Sequence, residues 1–384
     1  MIRVCHITSN LGFGGAEIWV RNMCAYEKEL KERSVVYTII ITGQDIGTLE
    51  EDEAFSEVEI IHIPFNWKNP ILFRKKLKKL LIESEITHLH NHQDWVAGWH
   101  WLAIIGLNVK KISHLHNSLL SIQNYTDNYS RPGRVAYYIL GSIFQCFFSD
   151  DIFSTSAAVL KQYGVMKRLN PRLNPKVMYC GIPIVQLGSS RTKGNYTPGH
   201  TVGPLIPSSR YFLFVGRLTV NSGGILMNQK NPIFAFKVAS QLLAQHQDIE
   251  FHVCGRFDEV SASTCLEEVA SKHRGRVKLL GVRSDVRNIM RNAEFLLFPS
   301  FEEGLGLVAV EAQMEGTSVL ASENVPQEAM ISDTGMVRLP LDVALWTRKC
   351  NEKLAQNENN LKLNSDNPFE MGTSMRALKK GYMK

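Results

Sequence analysis

The sequence predicts an α/β protein with two doubly wound, Rossmann-like domains that face each other across a cleft. Strand-like and helix-like segments alternate along nearly the whole chain, which favours parallel sheets covered by helices. A length of 384 residues also exceeds what one hydrophobic core usually serves. Because ligands of such sheets bind outside the carboxyl ends of the strands, we expect the functional residues in the loops that follow strands.

The first predicted domain covers residues 1–185. Short runs rich in β-branched residues predict its strands, and amphipathic segments between them predict its helices. We expect helices at 16–31 and 70–84. The strands are expected at 2–7, 35–42, 58–63, 87–90, 111–116 and 151–154.

A linker and a second domain are predicted to follow. Residues 186–209 are rich in Gly, Ser, Thr and Pro and have no periodicity, which is typical of a linker. Residues 210–365 form the second domain, and 366–384 predict a C-terminal helix that packs back on the first. Within the second domain we expect a helix at 232–245 and strands at 211–215, 250–254, 277–280, 295–298 and 317–321.

Composition narrows the class of protein. An apolar content of 44% and a charged content of 21% are ordinary for a globular protein. The net charge of +6 does not by itself require an anionic partner, and no nucleic-acid recognition module is present. Seven cysteines without a Cys-x-x-Cys pair predict reduced, mostly buried thiols. With no signal peptide and no uncharged run long enough to span a bilayer, the prediction is a cytoplasmic protein.

The most informative segment is 298–312, FPSFEEGLGLVAVEA. It predicts the end of a buried strand, a loop carrying Glu303, a turn at Gly304-Leu305-Gly306 and a helix carrying Glu311. A helix N-terminus favours phosphate, and carboxylates accept hydrogen bonds from hydroxyls. The eight-residue spacing is expected to put Glu303 at a loop tip and Glu311 about two turns along. The segment therefore predicts a site for a ligand with a phosphate end and a polyhydroxy end.

A glycine-rich loop, Gly12-Phe13-Gly14-Gly15-Ala16-Glu17, follows the first predicted strand. The dinucleotide-binding fingerprint fails here, because its third glycine would fall on Glu17. Gly14 and Gly15 still allow backbone amides to approach a diphosphate or an acceptor group. The alternative is a tight strand-to-helix turn that binds nothing.

Histidines mark the ends of two further strands. His114 and His116 alternate along one strand, so they should point to the same side of the sheet. The run His88-Leu89-His90-Asn91-His92 suggests a metal site, but its spacing is that of a strand and no Cys or Asp/Glu cluster completes it. We therefore expect that these histidines lie at strand ends, near the place where an acceptor group would bind, and that they form no metal site.

Taken together, the segment 298–312, the Gly-Gly-x-Glu form of the first loop, Val215-Gly216-Arg217 and 280–286 resemble the signature of the retaining glycosyltransferases of family 4. These enzymes have the GT-B fold, and the likeness is greatest to those that build bacterial capsular polysaccharide or exopolysaccharide. The resemblance implies transfer of a sugar from a nucleotide diphosphate sugar to an acceptor hydroxyl, with retention, in capsule, exopolysaccharide or O-antigen synthesis.

The resemblance also implies which residues act. His116, Glu303, Arg217 and Lys230 would be catalytic, with the two cations on the donor diphosphate in place of a metal, so no cofactor is expected. Lys230 lies further from Arg217 than in the family, which predicts an insertion within 220–227. The residues implied to bind the nucleotide sugar are Gly14, Gly15, Gly216, Arg217, Lys230, Val282, Arg283, Glu303, Gly304, Leu305, Gly306 and Glu311.

Partners follow from the same resemblance, which implies a lipid-linked or saccharide acceptor. The predicted helix at 70–84 carries five basic residues and an apolar face, so it either lies on an anionic membrane or simply covers the first sheet. Three other functions stay open: a nucleotide-sugar epimerase of the same fold, a non-catalytic partner subunit, and a nicotinamide dehydrogenase, which the missing third glycine disfavours.

Overall fold

The computed structural model describes residues 2–12, 14–30, 35–47, 49–66, 68–118, 132–183, 209–218, 228–356 and 367–383. The chain divides into two compact units. The first unit comprises Met1–Pro198 and Pro368–Lys384, and the second unit comprises Gly199–Asn367. The predicted linker, apart from residue 209, and the predicted insertion within 220–227 lie outside the described residues.

The first unit is built on a parallel sheet of seven strands in the order β3-β2-β1-β4-β5-β6-β7. The order changes direction between β1 and β4, and the carboxyl ends of these two strands therefore form the position where doubly wound sheets bind ligands. The strands are β1 Ile2–Thr8, β2 Val35–Ile41, β3 Glu59–His62, β4 His88–Asn91, β5 Lys110–Leu115, β6 Asp151–Ser154 and β7 Lys176–Val177.

Helices cover both faces of this sheet. Phe73, Leu77 and Trp101 pack with Cys5 and Ile7 of β1 in one core cluster, while Trp19 lies on the histidine side chains of the opposite face. The helices are α1 Gly15–Glu29, α2 Pro70–Glu83, α3 Val96–Ala103, α4 Pro132–Phe148, α5 Ala157–Gln162, α6 Gly164–Leu169 and, at the end of the chain, α12 Met371–Tyr382.

The second unit repeats the plan with six parallel strands in the order β10-β9-β8-β11-β12-β13. Its strands are β8 Arg210–Val215, β9 Ile249–Cys254, β10 Val277–Gly281, β11 Leu296–Phe298, β12 Val319–Ser322 and β13 Met336–Leu339. Its helices are α7 Pro232–Gln245, α8 Glu259–Glu267, α9 Val286–Arg291, α10 Leu307–Met314 and α11 Val343–Ala355, and short 3-10 turns lie at Ser271–Arg276 and Gln327–Ala329.

Local sequence explains where several helices begin. Ser156, Asp258 and Asp342 each accept a hydrogen bond from the backbone N–H three residues on, which satisfies a free donor of the first turn. Pro70 and Pro232 occupy the first helical positions, where a missing N–H is harmless. The other predicted bounds lie within two residues of the observed ones, but the C-terminal helix, predicted over 366–384, spans only Met371–Tyr382. Strands β7 and β13 were not predicted.

Two global expectations can be compared with the structure directly. All seven cysteines are free and buried, as predicted. Burial raises the pKa of the Cys24 and Cys254 thiols to about 12. Within the described ranges, no helix has both the length and the apolar character needed to cross a membrane.

Candidate functional site

In the second unit, the predicted site residues gather where the strand order reverses, between β8 and β11. Gly216 and Arg217 follow β8, and the loop from residue 299 to Gly306 follows β11. Since both strands are parallel, their carboxyl ends lie at the same edge of the sheet, and a ligand there meets both loops.

Lys230 and Glu303 form an ion pair at this edge. The Lys230 Nζ lies 2.6 Å from Glu303 Oε1 and 5.0 Å from the centre of the Phe298 ring. Glu303 lies in the loop after β11, and its side chain is only 6% exposed. The carboxylate is turned inward because the lysine provides its counter-charge. The structure thus brings together two residues that are 73 positions apart.

The segment that carries Lys230 is fixed to the loop after β11. The Gln229 side chain donates to the carbonyl of Glu302 (2.9 Å), and the Phe301 N–H donates to the carbonyl of Gln229 (2.8 Å). Asn228 accepts from the Lys230 N–H (2.9 Å) and donates to the Arg217 carbonyl. Both segments therefore hold one another in place.

Two glycines allow the chain to pass closely beside this pair. A Cβ added to Gly216 would lie 3.1 Å from the Lys230 Cγ. A Cβ added to Gly255, whose φ is +142°, would lie 1.9 Å from the Gly216 carbonyl oxygen, which no side chain can tolerate. The turns after β8 and β9 can approach one another only with glycine at Gly255.

Helix α10 presents an uncapped N-terminus to the same edge. Gly306, at a φ of +92°, is its N-cap, and none of the side chains that the structure describes caps the helix. A side chain at Gly306 would be strained by this φ, and its Cβ would lie 3.1 Å from the Phe298 ring. Leu305 is buried beneath the turn. The first amides of α10 are therefore open to an anion.

Glu311 lies just over one turn into α10, which begins at Leu307; the expected two turns were wrong, because residues 303–306 are loop. Burial raises the pKa of Glu311 to about 7, and nearby Glu315 adds to the effect, while Arg287 and Lys230 oppose it. Glu315 is itself paired with Arg287, at 2.5 Å, and with Arg291. Glu311 forms no ion pair with any residue that the structure describes.

The remaining predicted residues of this unit differ in their exposure and in their contacts. Arg217 is exposed, and its guanidinium forms no ion pair within the described ranges. Arg283 instead donates both of its fork nitrogens to Asp285, each at 2.8 Å, and its side chain is 6% exposed. Val282 is exposed beside it, after β10. The Arg283 guanidinium therefore fixes its own loop, while Val282 offers surface to a ligand.

In the first unit, Gly14 and Gly15 lie after β1, where the order of that sheet reverses. Gly14 is the N-cap of α1, and Gly15 is its first residue. A Cβ added to Gly14 would lie 2.1 Å from a Glu17 carboxylate oxygen, so glycine is what lets this acid fold back over the turn.

Five histidines lie together on one face of the first sheet, and we call them the histidine array. They come from three adjacent strands and the turns that follow, and the Trp19 ring covers four of them. His114 and His116 do share a side, with ring centres 4.3 Å apart. The members of the array are His6, His90, His92, His114 and His116.

Hydrogen bonds link the histidine array in two rows. In one row, His92 Nε2 lies 2.8 Å from His6 Nδ1, and His92 Nδ1 lies 2.9 Å from His116 Nε2. In the other, His90 joins His114 at 3.1 Å and the Tyr382 hydroxyl of α12 at 2.7 Å. Burial lowers the pKa of His6 and of His116 to about 3, so these rings are uncharged.

Asp94 was missed by the sequence reasoning, although it holds His116. Its Oδ1 accepts from the His116 N–H (2.8 Å), and its Oδ2 accepts from the Asn117 side chain (2.7 Å). Burial raises the Asp94 pKa to about 6. The residue has a left-handed backbone, with a φ of +44°, which is uncommon outside glycine and often marks a functional turn.

The sequence predicted no metal site, but the structure brings together histidines that could hold a metal ion. Among the described residues, two overlapping sets bring three ring nitrogens within 4.8 Å of one another: His6, His90 and His92, and His92, His114 and His116. The upstream histidine run is therefore completed by residues from neighbouring strands and not by cysteine or acid, which is why inspection of its own spacing was not enough.

A family model, curated sequences and solved structures all show that this chain is similar to glycosyltransferases. Residues 209–356 match the family model described as Glycosyl transferases group 1. The capsular polysaccharide biosynthesis glycosyltransferase CapH of Staphylococcus aureus is 23% identical over 394 residues, which cover 100% of this chain and 99% of CapH. The putative glycosyltransferase EpsF of Bacillus subtilis is 22% identical, covering 90% of this chain and 85% of EpsF.

Solved structures with the same fold include HepE of Anabaena, in complex with UDP and glucose. It superposes with a TM-score of 0.69 at 14% identity, covering 100% of both chains. WaaG, a glycosyltransferase involved in lipopolysaccharide biosynthesis, gives a TM-score of 0.61 at 14% identity, covering 99% of this chain and 95% of WaaG. The GT-B fold class and the family resemblance predicted from the sequence are confirmed.

Proposed function

We propose that this chain, whose residues 209–356 match the family model of the group 1 glycosyltransferases, moves a sugar from a nucleotide diphosphate sugar to an acceptor hydroxyl with retention of anomeric configuration. The observation that carries the proposal is the Lys230–Glu303 pair beside the uncapped start of α10. A cation, a carboxylate and the first backbone amides of α10 lie at the same edge of the sheet. Together they suit a ligand in which a diphosphate is joined to a sugar.

Each part of the donor then has a partner in the second unit. Lys230 and Arg217 hold the diphosphate, together with the amides of Gly304, Leu305 and Gly306 and the close turn at Gly216. Glu303 accepts from sugar hydroxyls and Glu311 from the ribose. Val282 and the loop that Arg283 fixes receive the base, and from the first unit we assign the donor sugar to His116 and the Gly14-Gly15 turn.

The ion pair explains how the charges of Lys230 and Glu303 are neutralised before the donor binds. Without ligand, Lys230 and Glu303 neutralise each other at 2.6 Å. When the donor enters, the lysine turns to the phosphate and the carboxylate to the hydroxyls, so neither charge is left unpaired. In the transition state the two cations stabilise the growing charge on the leaving diphosphate.

We also propose that catalysis needs no metal ion, because the two cations take the place of one, and that a donor phosphate oxygen accepts the proton of the attacking hydroxyl. Retention then follows from attack on the face from which the diphosphate leaves. Protein groups contribute position and charge more than acid–base chemistry. Full activity in the presence of a chelator is the expected result.

The acceptor and the pathway are proposed from the relatives. CapH is named for capsular polysaccharide biosynthesis, so we infer a lipid-linked or saccharide acceptor in capsule, exopolysaccharide or O-antigen synthesis. Buried free thiols fit a cytoplasmic location. A nucleotide-sugar epimerase of the same fold is the alternative enzyme, and a non-catalytic partner subunit is the alternative role.

One assay separates these possibilities. The purified chain is mixed with a panel of nucleotide diphosphate sugars, with and without a membrane extract as the source of acceptor. Release of nucleoside diphosphate that depends on the extract supports transfer, and NMR of the product linkage tests retention. An epimerase would convert the donor into another nucleotide sugar without releasing diphosphate, and binding of no nucleotide at all would contradict the proposal.

Nucleotide binding should depend on the ionisation of Glu311. Its pKa is raised to about 7 in the free protein, and a charged carboxylate is the better acceptor for ribose hydroxyls. The carboxylate gains a proton as pH falls through 7, so affinity for UDP should fall by up to about tenfold between pH 8 and pH 6. Calorimetric titration of the wild type and Glu311→Gln checks this.

The Glu311→Gln variant is also the control for the nucleotide itself, whose phosphate gains a proton in the same range. Only the difference between the two proteins belongs to Glu311. Equal pH dependence in wild type and variant would remove the ribose role from this residue.

Contact with an anionic membrane is the other part of the proposal, and helix α2 supports it. Phe73, Leu77 and Leu80 of this helix are buried against the sheet. Its outer side exposes apolar residues, with Ile71 75% and Ile82 67% accessible, beside exposed lysines. An exposed strip of apolar and basic side chains is typical of a helix that lies on anionic lipid. The exposed lysines are Lys75, Lys76, Lys78 and Lys79.

Replacing Lys75, Lys76 and Lys78 together by Gln should weaken binding to anionic vesicles. Each lysine near such a surface contributes about 1 kcal/mol, so about 3 kcal/mol should be lost. Co-sedimentation with vesicles that contain phosphatidylserine measures the change. A matched triple variant at Lys237, Lys272 and Lys349 of the second unit should bind as the wild type does, and equal weakening in both variants would point to net charge alone.

A further inference from the structure

The histidine array contains two rings, those of His92 and His114, that the proposed transfer reaction does not use, and His116, which it assigns to the donor sugar, completes a set with them. His92, His114 and His116 each bring one ring nitrogen within 4.8 Å of the other two. We propose that these three imidazoles form a binding site for a transition metal ion of the Zn²⁺ class. The ion is not a cofactor of the transfer reaction, and its binding can be measured without any donor.

The distances are close to those that such an ion requires. Zinc binds imidazole nitrogens at about 2.0–2.1 Å in tetrahedral sites, which places neighbouring ligand nitrogens about 3.4 Å apart. His92 Nδ1 and His116 Nε2 are now 2.9 Å apart, so the rings need to separate by about half an ångström. His116 lies in the turn after β5 and is partly exposed, so it can make this movement. His114 is held within β5, and the His92 N–H donates to the carbonyl of Ile7 in β1.

Hydrogen-bond partners for the ligands are already in place. A metal-bound histidine almost always passes its second ring N–H to an acceptor, which fixes the ring. If His92 binds through Nδ1, its Nε2–H donates to His6 Nδ1, 2.8 Å away. If His114 binds through Nε2, its Nδ1–H donates to His90 Nε2, 3.1 Å away. Both deeper ligands are therefore oriented from behind.

Access favours the set of His92, His114 and His116 over the other set of three histidines. In the set of His6, His90 and His92, every ring is buried, so an ion has no way in. The set with His116 reaches the end of the sheet. Asp94 already accepts from the His116 N–H, so it orients that residue and does not compete for the ion. Burial also keeps the rings uncharged, and neutral imidazole is the form that binds metals.

Cobalt(II) titration of the untagged full chain, without donor, tests the site. One equivalent should bind and give the visible d–d bands of a tetrahedral site, and Zn²⁺ should displace it. His116→Ala should lower Co²⁺ affinity at least tenfold, and His92→Gln should do the same. His246→Gln, which changes a histidine of the second unit bonded to Asn351, should bind Co²⁺ as the wild type does.

Two results would overturn the site. One is a wild-type chain that binds no stoichiometric Co²⁺, and the other is a His116→Ala variant that binds it with unchanged affinity. His92 is buried and its variant can fail to fold, so X-ray absorption of the zinc-loaded wild type provides the second measurement. Scattering from three imidazoles is expected there, whereas a shell of oxygen ligands alone would contradict the assignment.

Discussion

Replacing Lys230 by Met should lower kcat/KM at least ~30-fold, because ~2 kcal/mol of transition-state stabilisation is lost with the charge on the leaving diphosphate. The same change should also destabilise the second unit. It leaves the Glu303 carboxylate buried without the partner that now lies 2.6 Å away, a cost of about 2 kcal/mol for a pair that is partly exposed. Steady-state kinetics and urea unfolding measure the two effects separately.

Glu303→Gln and the double variant complete this test. Glu303→Gln should lower kcat/KM to a similar extent but leave stability close to that of the wild type, since an amide is less costly to bury than a lone carboxylate. The double variant should regain the stability lost in Lys230→Met and none of the activity. Lys237→Met, on the exposed side of α7, is the matched control. Near-normal turnover in either single variant would refute its assigned role.

Arg217→Ala should reduce kcat/KM at least ~30-fold, again ~2 kcal/mol, with no accompanying loss of stability. The side chain is exposed, so unfolding free energy should stay within about 0.5 kcal/mol of the wild-type value. Arg217→Lys should fall between the two, because lysine keeps the charge but cannot form the paired contacts of the guanidinium fork.

The control for Arg217 is Arg348→Ala, which removes an exposed arginine from α11 and should change neither quantity. Product formation from a saturating donor separates binding from chemistry. If Arg217→Ala raises KM alone while kcat is unchanged, the arginine binds the ground state and the transition state equally, and the catalytic assignment fails.

The sequence was most informative where a site is local. Strand, loop, glycine turn and helix follow one another within residues 298–312, so Gly306 and Glu311 could be placed on their elements without any tertiary knowledge. Arg283 shows the limit of that method. Its partner Asp285 is only two residues away, yet nothing in a loop sequence distinguishes an arginine that meets a ligand from one that fixes its own turn.

Contacts between distant segments could not be predicted, because they depend on strand order. Lys230 meets Glu303 only since β8 lies beside β11. His6 and His92 join His116 only since β1, β4 and β5 are neighbours. The alternation of side chains along a strand predicted that His114 and His116 share a side of the sheet. It could not predict which histidines of other strands lie beside them. Asp94 was missed because its partners, the His116 N–H and the Asn117 side chain, follow a different strand.

The distribution of the buried thiols has a practical consequence. A thiol reagent can reach a buried cysteine only after local or global opening, so the rate of modification reports the free energy of that opening. Mass spectrometry would therefore follow the opening of each unit separately in one unlabelled sample, and a cysteine introduced on the surface would be modified first. The first unit contributes Cys5, Cys24, Cys146 and Cys180 to such an experiment, and the second contributes Cys254, Cys265 and Cys350.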